Sequence, residues 1–378
     1  MLIIGIITGL LILVFLVTVH ELGHAIVSRR NGVVVEEFGV GFPPRAWGKK
    51  LKNGTILTLN WLPLGGFVKL QGENDAANKK GDYGSATFLN KTKILFAGVF
   101  ANWLVAAVLL TILALIGLPK VLPNQFSVPS DTQTIAQPVE VSNLTPDYPA
   151  VKAGLKNGDS IIRFAGQNVP TVDDLLHQIK SNAGKKVSVV YSRANVQNSV
   201  DVKLKQSGSK EIFGAGLGQR EVIKSTWSAP IVGIGTTVQF TWVTLQGVGS
   251  LVGGLVHGLV SQLSPDSSVR QSASAELNTV SSSVAGPIGI IGTIFPAAEQ
   301  AGLVQLTFLT AIISLSLAVM NVLPIPALDG GRWATMVFFR LTKRKLTKER
   351  EEKIQTIGFS ILMGLVILVT VADVAKFF

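Results

Sequence analysis

Four long segments without a charged residue decide what this chain can fold into. They span residues 2–19, 94–118, 303–323 and 357–371. A helix needs about 20 predominantly apolar residues to cross the hydrocarbon core of a bilayer. Charged residues make up only 15% of the chain, whereas soluble domains carry about 25%. The sequence therefore predicts an α-helical membrane protein with about four transmembrane helices.

A signal peptide is the alternative interpretation of the first apolar segment. A signal peptide starts with basic residues and ends at a small-residue cleavage site. Here no Lys or Arg precedes the apolar run, which continues directly into His20. We interpret residues 1–28 as a retained span.

The basic residues follow a membrane pattern. Residues 29–93 carry eleven Lys or Arg and residues 324–353 carry eight. The positive-inside rule places both segments on the cytoplasmic side of a plasma or inner membrane. Contact with the lipid bilayer explains the net charge of +11. Binding to nucleic acid is less well supported, because zinc-finger, RNA-binding and basic-helix patterns are absent from the sequence.

The largest region between two spans has the character of a soluble α+β domain on the extracytoplasmic side. Short apolar strands are predicted at 138–143, 160–164, 186–192 and 199–204, with a helix at 172–180. The predicted segments are 1–28 (first span), 29–93 (cytoplasmic-side loop), 94–118 (second span), 119–226 (outer domain), 227–302 (outer helices), 303–323 (third span), 324–353 (cytoplasmic loop) and 354–376 (fourth span).

Residues 231–260 are apolar but rich in Gly, Thr and Ser. We expect amphipathic helices that lie on the membrane surface here. A fifth span is the alternative.

The end of the first span carries the sequence His20-Glu21-Leu-Gly-His24. Two histidines four residues apart project from one face of a helix and can bind one metal ion. Glu21 lies beside them and can take a proton from a metal-bound water and later deliver it to a leaving amine. Ionisable groups in a membrane helix are costly and normally functional. The pattern predicts a metalloprotease rather than a chance arrangement of packed side chains.

A tetrahedral zinc needs a third protein ligand. The chain has no cysteine and only two other histidines. We interpret His177 as a surface residue of the predicted outer helix and His257 as an interfacial residue. Asp329 is the candidate, because it follows the third span directly, after helix-breaking prolines and before two glycines that permit close approach. Iron or cobalt would suit the same ligands.

Two further segments have recognisable patterns. Ile56–Trp61 and Phe67–Leu70 flank a Pro-Leu-Gly-Gly turn and predict a β-hairpin, while residues 72–93 predict a mobile loop. In the outer domain, five positions resemble the PDZ signature of bacterial proteases, and such domains take extended peptides by strand addition. These positions are Ala153, Gly154, Leu155, Gly158 and Asp159.

Together these motifs resemble the site-two protease family of intramembrane metalloproteases, in its bacterial branch with a single PDZ domain. The resemblance rests on the HELGH segment and on the segment Asn321–Gly331, which contains the Leu-Asp-Gly motif. It also rests on residues 65–70, on residues 96–102 and on the Ala-Gly-Pro-Ile segment at 285–288. These matches cover nearly the whole chain.

The resemblance implies a site and a substrate class. By it, His20, His24 and Asp329 hold Zn²⁺, and Glu21 is the general acid/base. Single-span membrane proteins would be cut within the membrane, among them anti-sigma factors and remnant signal peptides, after trimming by an upstream protease. The PDZ domain would filter or dock them. The membrane-associated β-hairpin would pair with the unwound substrate, although it is alternatively a structural anchor. The substrate-binding residues implied are Gly65, Gly66, Phe67, Val68, Lys69, Asn321 and Pro324.

Two other classes of protein deserve comparison. A non-catalytic scaffold that binds partners through the PDZ domain would be supported by a degraded metal motif, but the motif is intact. A metal or proton transporter should have polar residues spread through several spans or inverted repeats. The second and fourth spans contain almost none, so both classes are less well supported than a protease.

Overall fold

The computed structural model describes residues 2–193, 196–206, 208, 211–283 and 286–375. It divides into two compact units, one formed by Met1–Ile112 with Gly233–Phe378 and the other by Leu113–Val232. The first unit contains most of the long apolar helices. The second is the region in which the sequence predicts a soluble domain.

The helices account for most of the first unit. In chain order, the α-helices are α1 (Leu2–Arg30), α2 (Phe88–Leu95), α3 (Ala97–Ile116), α4 (Pro149–Lys152), α5 (Val172–Ser181), α6 (Ala229–Ser261), α7 (Ser267–Ser283), α8 (Pro287–Gly289), α9 (Phe295–Gln300), α10 (Leu303–Val322), α11 (Asp329–Leu341) and α12 (Lys348–Ala375). A π-helical turn, Ile290–Ile294, joins α8 to α9.

Strands occur in both units. They are β1 (Val35–Lys50), β2 (Ile56–Leu70), β3 (Leu118–Pro119), β4 (Gln133–Ala136), β5 (Val139–Leu144), β6 (Ser160–Phe164), β7 (Gln167–Asn168), β8 (Lys186–Arg193), β9 (Val196–Lys203), β10 (Ala215–Gly218) and β11 (Glu221–Lys224).

Five helices in the described residues are long and apolar enough to cross a membrane, namely α1, α3, α6, α10 and α12. Four of them correspond to the predicted spans. The second begins later than predicted, because Thr87 caps a separate helix, α2, that takes up Ile94 and Leu95. The fifth, α6, is one continuous helix in the region where we expected surface helices, and that expectation stays a prediction.

The sheet formed by β1 and β2, called the inner sheet below, corrects the predicted hairpin. Residues 66–70 and 56–60 do not pair with each other, because residues 35–40 lie between them: Gly39 pairs with Phe67 on one side and with Thr58 on the other. The sequence hid this central strand, since its paired charges interrupt the apolar alternation. Residues 45–50 complete the sheet by pairing with 56–60, which leaves 66–70 at one edge.

Residues 72–93 were predicted to be a mobile loop: residues 72–87 lie outside helices and strands, and their mobility stays a prediction. Tyr83 is fully buried, and Asp82 accepts hydrogen bonds from the backbone N–H of Lys79 and the side chain of Gln71. Residues 88–93 belong to α2. Although this segment is polar overall, the buried ring of Tyr83 gives it apolar contacts.

The second unit is built around one antiparallel sheet. Its strands lie in the order β10-β5-β6-β8-β9, with β7 paired to β6. Helix α5 begins after Thr171, whose side chain accepts the N–H of Asp174, and it buries Leu175 and Ile179 on the sheet. The four predicted strands and the helix are confirmed in position. The short strands β3, β4 and β11 form a separate small sheet that sequence patterns did not reveal, because four-residue strands show no period.

Candidate metal centre and active site

Helix α1 places two imidazoles on one face. His20 and His24 are one helical turn apart, and their Nε2 atoms lie 3.1 Å from each other. Both residues are largely buried. The residues of α1 that precede His20 carry no charge, so the rings follow an apolar stretch of helix in which an unused polar group would be destabilising.

Asp329 joins them from the far end of the chain. Its Oδ2 atom lies 3.2 Å from Nε2 of His20 and 3.3 Å from Nε2 of His24. This oxygen is buried, and neither of these contacts has the geometry of a hydrogen bond. One potential ligand atom from each of the three residues lies within 4.8 Å of the others. Two imidazoles and a carboxylate are a donor set that suits zinc, so the residues fit the metal.

The position of Asp329 depends on its neighbours in sequence. The predicted cytoplasmic loop contains a helix, α11, and Asp329 lies in its first turn. A Cβ atom on Gly330 would collide with the carbonyl of Val322, and one on Gly331 with the carbonyl of Ile325. The two glycines therefore let the first turn of α11 rest directly on the end of α10.

The two histidines differ in how their second nitrogen is held. Nδ1 of His24 lies 2.8 Å from the carbonyl oxygen of Ile94, which fixes the tautomer that leaves Nε2 free for a metal. Nδ1 of His20 is buried and has no hydrogen-bond partner among the described residues. Among the described residues, only His24 therefore has its second ring nitrogen held by a hydrogen bond.

Gly98 on α3 makes room for both rings. A Cβ atom at Gly98 would lie 2.7 Å from Cε1 and 2.8 Å from Nδ1 of His20, and closer still to Nε2 of His24. Real Cβ atoms do not approach ring atoms so closely. Helix α3 can therefore pack this closely against both rings only because Gly98 has no side chain.

Glu21 faces the same space as the ligands. A cavity of about 270 Å³ is lined by both histidines, Glu21 and Asp329, together with residues of the inner sheet, of α2 and of the α10–α11 connection. Its other lining residues are Phe67, Val68, Leu70, Glu73, Tyr83, Ile94, Leu95, Asn321, Ala327 and Arg332. A larger cavity of about 780 Å³ shares Asp329 and Arg332 with it.

The remaining predicted substrate residues differ in how close they lie to the site. Phe67, Val68 and Asn321 line the smaller cavity, whereas Lys69 lines the larger one and pairs with Glu36 at 3.1 Å. Gly66 lies against the site, since its Cβ position is 3.6 Å from Cγ of Glu21, and Gly65 has a φ of +96° beside the ring of Phe42. Pro324 lines neither of these two cavities.

The other two histidines lie elsewhere, as the sequence predicts. His177 is in α5 of the second unit. His257 is in α6, with Nδ1 2.8 Å from Oε2 of Glu276. The metal-ligand cluster found among the described residues contains neither of them.

The predicted PDZ signature forms a turn before a strand. Gly154 and Gly158 have φ values of +83° and +90°, which only glycine adopts without strain. Leu155 is buried in the core of the second unit, and Asp159 forms an ion pair with Arg193 at 2.7 Å. Ala153 ends the short helix α4.

The sequence patterns did not reveal a partly buried ionic cluster beside the candidate metal ligands. Arg332, one turn after Asp329, donates to Oε1 of Glu73 at 2.9 Å, to the carbonyl of Glu73 at 2.7 Å and to Oε1 of Glu351 at 3.1 Å. It also covers the ring of Tyr83, 4.7 Å from the centroid. Burial raises the pKa of the Tyr83 hydroxyl above its usual range. The signal available in the sequence was the arginine directly after the Asp-Gly-Gly motif.

Part of the chain is similar to solved PDZ domains. The PDZ domain of an SdrC-like protein from Listeria monocytogenes is 25% identical, with 21% of this chain and 86% of that chain covered and a TM-score of 0.20. The corresponding domain from Listeria innocua is 28% identical, with 22% and 93% covered and a TM-score of 0.19.

Comparison of the full sequence gives longer matches. The Regulator of sigma-W protease RasP from Bacillus subtilis is 26% identical over 96% of this chain and 96% of its own length. A Clostridium perfringens protein provisionally described as a zinc metalloprotease is 31% identical over 98% of both chains.

A model of one protein family matches most of the chain. The model of peptidase family M50 aligns with residues 8–365. This range includes the two histidines, Glu21 and Asp329, and it takes in both structural units. The protein therefore belongs to peptidase family M50, the site-two protease family, and is a membrane metalloprotease.

Proposed function

We propose that the chain is an intramembrane zinc endopeptidase in which His20, His24 and Asp329 hold the metal. The observation that carries this is the convergence of their three ligand atoms within 4.8 Å, although Asp329 is about 300 residues distant in sequence. The zinc metalloprotease names of relatives support the choice of metal. Zinc, when bound, lowers the pKa of water and polarises a carbonyl group.

Glu21 is the proposed general acid/base. It is adjacent to His20 in α1 and lines the same cavity as the three ligands. A carboxylate at this position takes the proton of the attacking water and returns it to the leaving amine. Gly66 has no side chain, and a Cβ atom there would lie 3.6 Å from Cγ of Glu21, so the backbone of this strand passes close to Glu21.

The edge of the inner sheet is the proposed binding site for the substrate backbone. Residues 66–70 pair with 35–40 on one side, and Phe67, Val68 and Leu70 line the cavity of the metal ligands. A peptide bond in a helix is shielded by its own hydrogen bonds, so the substrate must unwind before cleavage. Unwound backbone in lipid needs new partners, and a strand edge provides them.

The substrates proposed are single-span membrane proteins. Anti-sigma factors and remnant signal peptides, previously trimmed by another protease, are the expected classes. The name of the Bacillus subtilis relative, a regulator of sigma-W, supports the first class. We place the active site towards the cytoplasm of a plasma or inner membrane, because the basic segments 29–93 and 324–353 flank it.

The second unit is proposed to be a PDZ domain that filters or docks substrates. The strand β10 lies at the edge of its sheet. Helix α5 and β10 border a cavity of about 310 Å³ lined by Leu176, Ile179, Phe213 and Leu217. Such a groove suits an extended apolar peptide. Deletion of residues 125–215 should let the protease cut untrimmed substrates. Continued restriction to trimmed substrates would contradict the filter.

The test of the proposed chemistry is Glu21→Gln. This change keeps the shape and removes the proton acceptor, so proteolysis should fall by at least about 100-fold while zinc content stays equal to wild type. The matched control is Glu352→Gln, at a side chain that is 63% exposed, and it should remain active. Retained proteolysis in Glu21→Gln would remove Glu21 from the mechanism. A transporter or scaffold would tolerate the substitution.

A further inference from the structure

One nitrogen of the proposed ligand set lacks the support that a metal-bound histidine normally has. Metal-ligating histidines almost always donate their second ring N–H to a carbonyl, carboxylate or water. For His24 this partner is the carbonyl of Ile94. For His20 the Nδ1 atom is buried and without a hydrogen-bond partner in the described part of the chain.

A second buried polar group in the same region is also unsatisfied. Asn102 on α3 is only 1% exposed. Within the described ranges, neither Oδ1 nor Nδ2 of its side chain has a hydrogen-bond partner. Leaving such a carboxamide unpaired in an apolar setting is destabilising. A leucine would fill this position without unpaired polar atoms, so packing alone does not account for an amide here.

The geometry of α3 brings the two groups to the same place. Asn102 follows Gly98 by four residues and lies on the same helical face. Side chains in a helix lean towards its N-terminus, so the carboxamide leans over Gly98, which has no side chain to occupy the space. The Cβ position of Gly98 is 2.8 Å from Nδ1 of His20. The Nδ1 atom of His20 therefore borders Gly98, and Asn102 lies one helical turn further along the same face of α3.

The backbone at Asn102 is held in position by a different helix. Its carbonyl accepts a hydrogen bond from the hydroxyl of Ser314 on α10 at 2.8 Å. The carboxamide is consequently fixed at its base and has freedom only in its side-chain torsions. A buried water can also bridge two such polar groups.

We propose that Asn102 is the positioning residue of His20. Its carboxamide oxygen accepts the Nδ1–H of His20, directly or through one water, and so holds the tautomer and ring orientation that present Nε2 to the metal. This inference rests on the proposed ligand role of His20. It assigns a task to Asn102, which lies in the 96–102 segment that the chemistry proposed above leaves unused.

The test measures zinc retention in the full-length protein in lipid nanodiscs by competition with a chelator. Asn102→Leu should lower zinc affinity by about 10- to 100-fold, the usual effect of losing such a partner. Asn102→Asp keeps an oxygen acceptor and should restore most of the affinity. The absorption spectrum of the cobalt-substituted protein should change in Asn102→Leu and resemble wild type in Asn102→Asp.

Ser314→Ala is the matched control. It removes the other polar contact at the same turn of α3 but leaves the carboxamide, so zinc affinity should be unchanged. An equal loss in Ser314→Ala would indicate a packing effect and overturn the proposal. Wild-type affinity in Asn102→Leu would overturn it as well. A wild-type protein that binds no zinc would instead overturn the proposed function, so the two failures are distinguishable.

Discussion

Gly98 controls the space available to both histidines. Replacement by alanine would put a methyl group 2.8 Å from Nδ1 of His20 and closer to Nε2 of His24, so one ring must leave its position. We expect Gly98→Ala to reduce zinc content and proteolysis by at least about tenfold, since overpacking of this kind costs about 1–3 kcal/mol. Zinc analysis of the purified protein measures the effect.

The control for this prediction is a glycine with free space around it. Gly364 lies in α12, and its Cβ position has no atom within 4 Å. Gly364→Ala should keep full zinc content and activity. Equal zinc in wild type and in Gly98→Ala would mean that the histidines adjust without loss, which would contradict the space restriction.

At this scale the sequence predicts some residues of the site and conceals others. His20, Glu21, His24 and Asp329 were predicted because fixed spacing on a helix and an interrupted span are local patterns. Their convergence is seen in the structure, and their roles stay predictions. Gly98, Asn102 and Arg332 were not assigned a place in the site. Their importance comes from neighbours more than 70 residues away in sequence, and no local period records such contacts.

At the scale of elements, Arg332 connects three parts of the chain. It binds Glu73 after the inner sheet and Glu351 on α12, while it lies one turn after Asp329 on α11. Glu73 in turn accepts the backbone N–H of Leu70, the last residue of β2, at 3.3 Å. The proposed substrate strand and the proposed metal ligand are therefore joined through one guanidinium group.

Loss of this group should release the segment 71–87. A hydrogen bond to a charged group contributes about 1.5–3 kcal/mol, so Arg332→Ala should favour local opening by about 2 kcal/mol. Proteolysis of an opened segment follows its population, so trypsin should cut after the exposed Lys79 and Lys80 about 30-fold faster. Arg344→Ala, at an exposed side chain, is the control. Equal cleavage in both variants would show that Arg332 does not restrain the segment.

The inner sheet also shows which features of a β-sheet can be predicted from sequence patterns. Ile56–Trp61 and Phe67–Leu70 were correctly predicted as strands, because each has the apolar and β-branched residues that suit a pleated surface. Their predicted pairing was wrong, because the intervening strand 35–40 comes from earlier in the chain. Strand identity is local, whereas strand order depends on which segments share an apolar face.

At the scale of the whole molecule, the number of helices in the membrane depends on α6. In the first unit, α6 lies antiparallel to α3: the Cβ position of Gly233 is 2.7 Å from Cα of Thr111, and Trp103 donates to the hydroxyl of Thr241 at 3.2 Å. Phe240 contacts Phe308 of α10, with ring centroids 6.2 Å apart. These contacts favour the alternative in which α6 enters the membrane beside α3.

The exposed side of α6 supports the same alternative. Ile231, Ile234, Val238 and Trp242 are each about half exposed or more and recur every three or four residues on one face. The opposite face, with Thr236 and Thr237, is fully buried. A helix on a membrane surface would turn polar residues to water. An exposed apolar face instead matches contact with lipid.

The absence of native cysteines allows a direct test, because every engineered thiol reports one position. In intact membranes, Val238→Cys should resist a membrane-impermeant maleimide from both sides and react only after detergent is added. Val196→Cys, at a 61% exposed side chain in the second unit, should react without detergent. If Val238→Cys reacts as fast as Val196→Cys, α6 lies in water contact and the predicted surface helix is correct. If it is protected, α6 lies within the membrane beside α3, where its contact with α10 would couple it to the helix that carries Asn321.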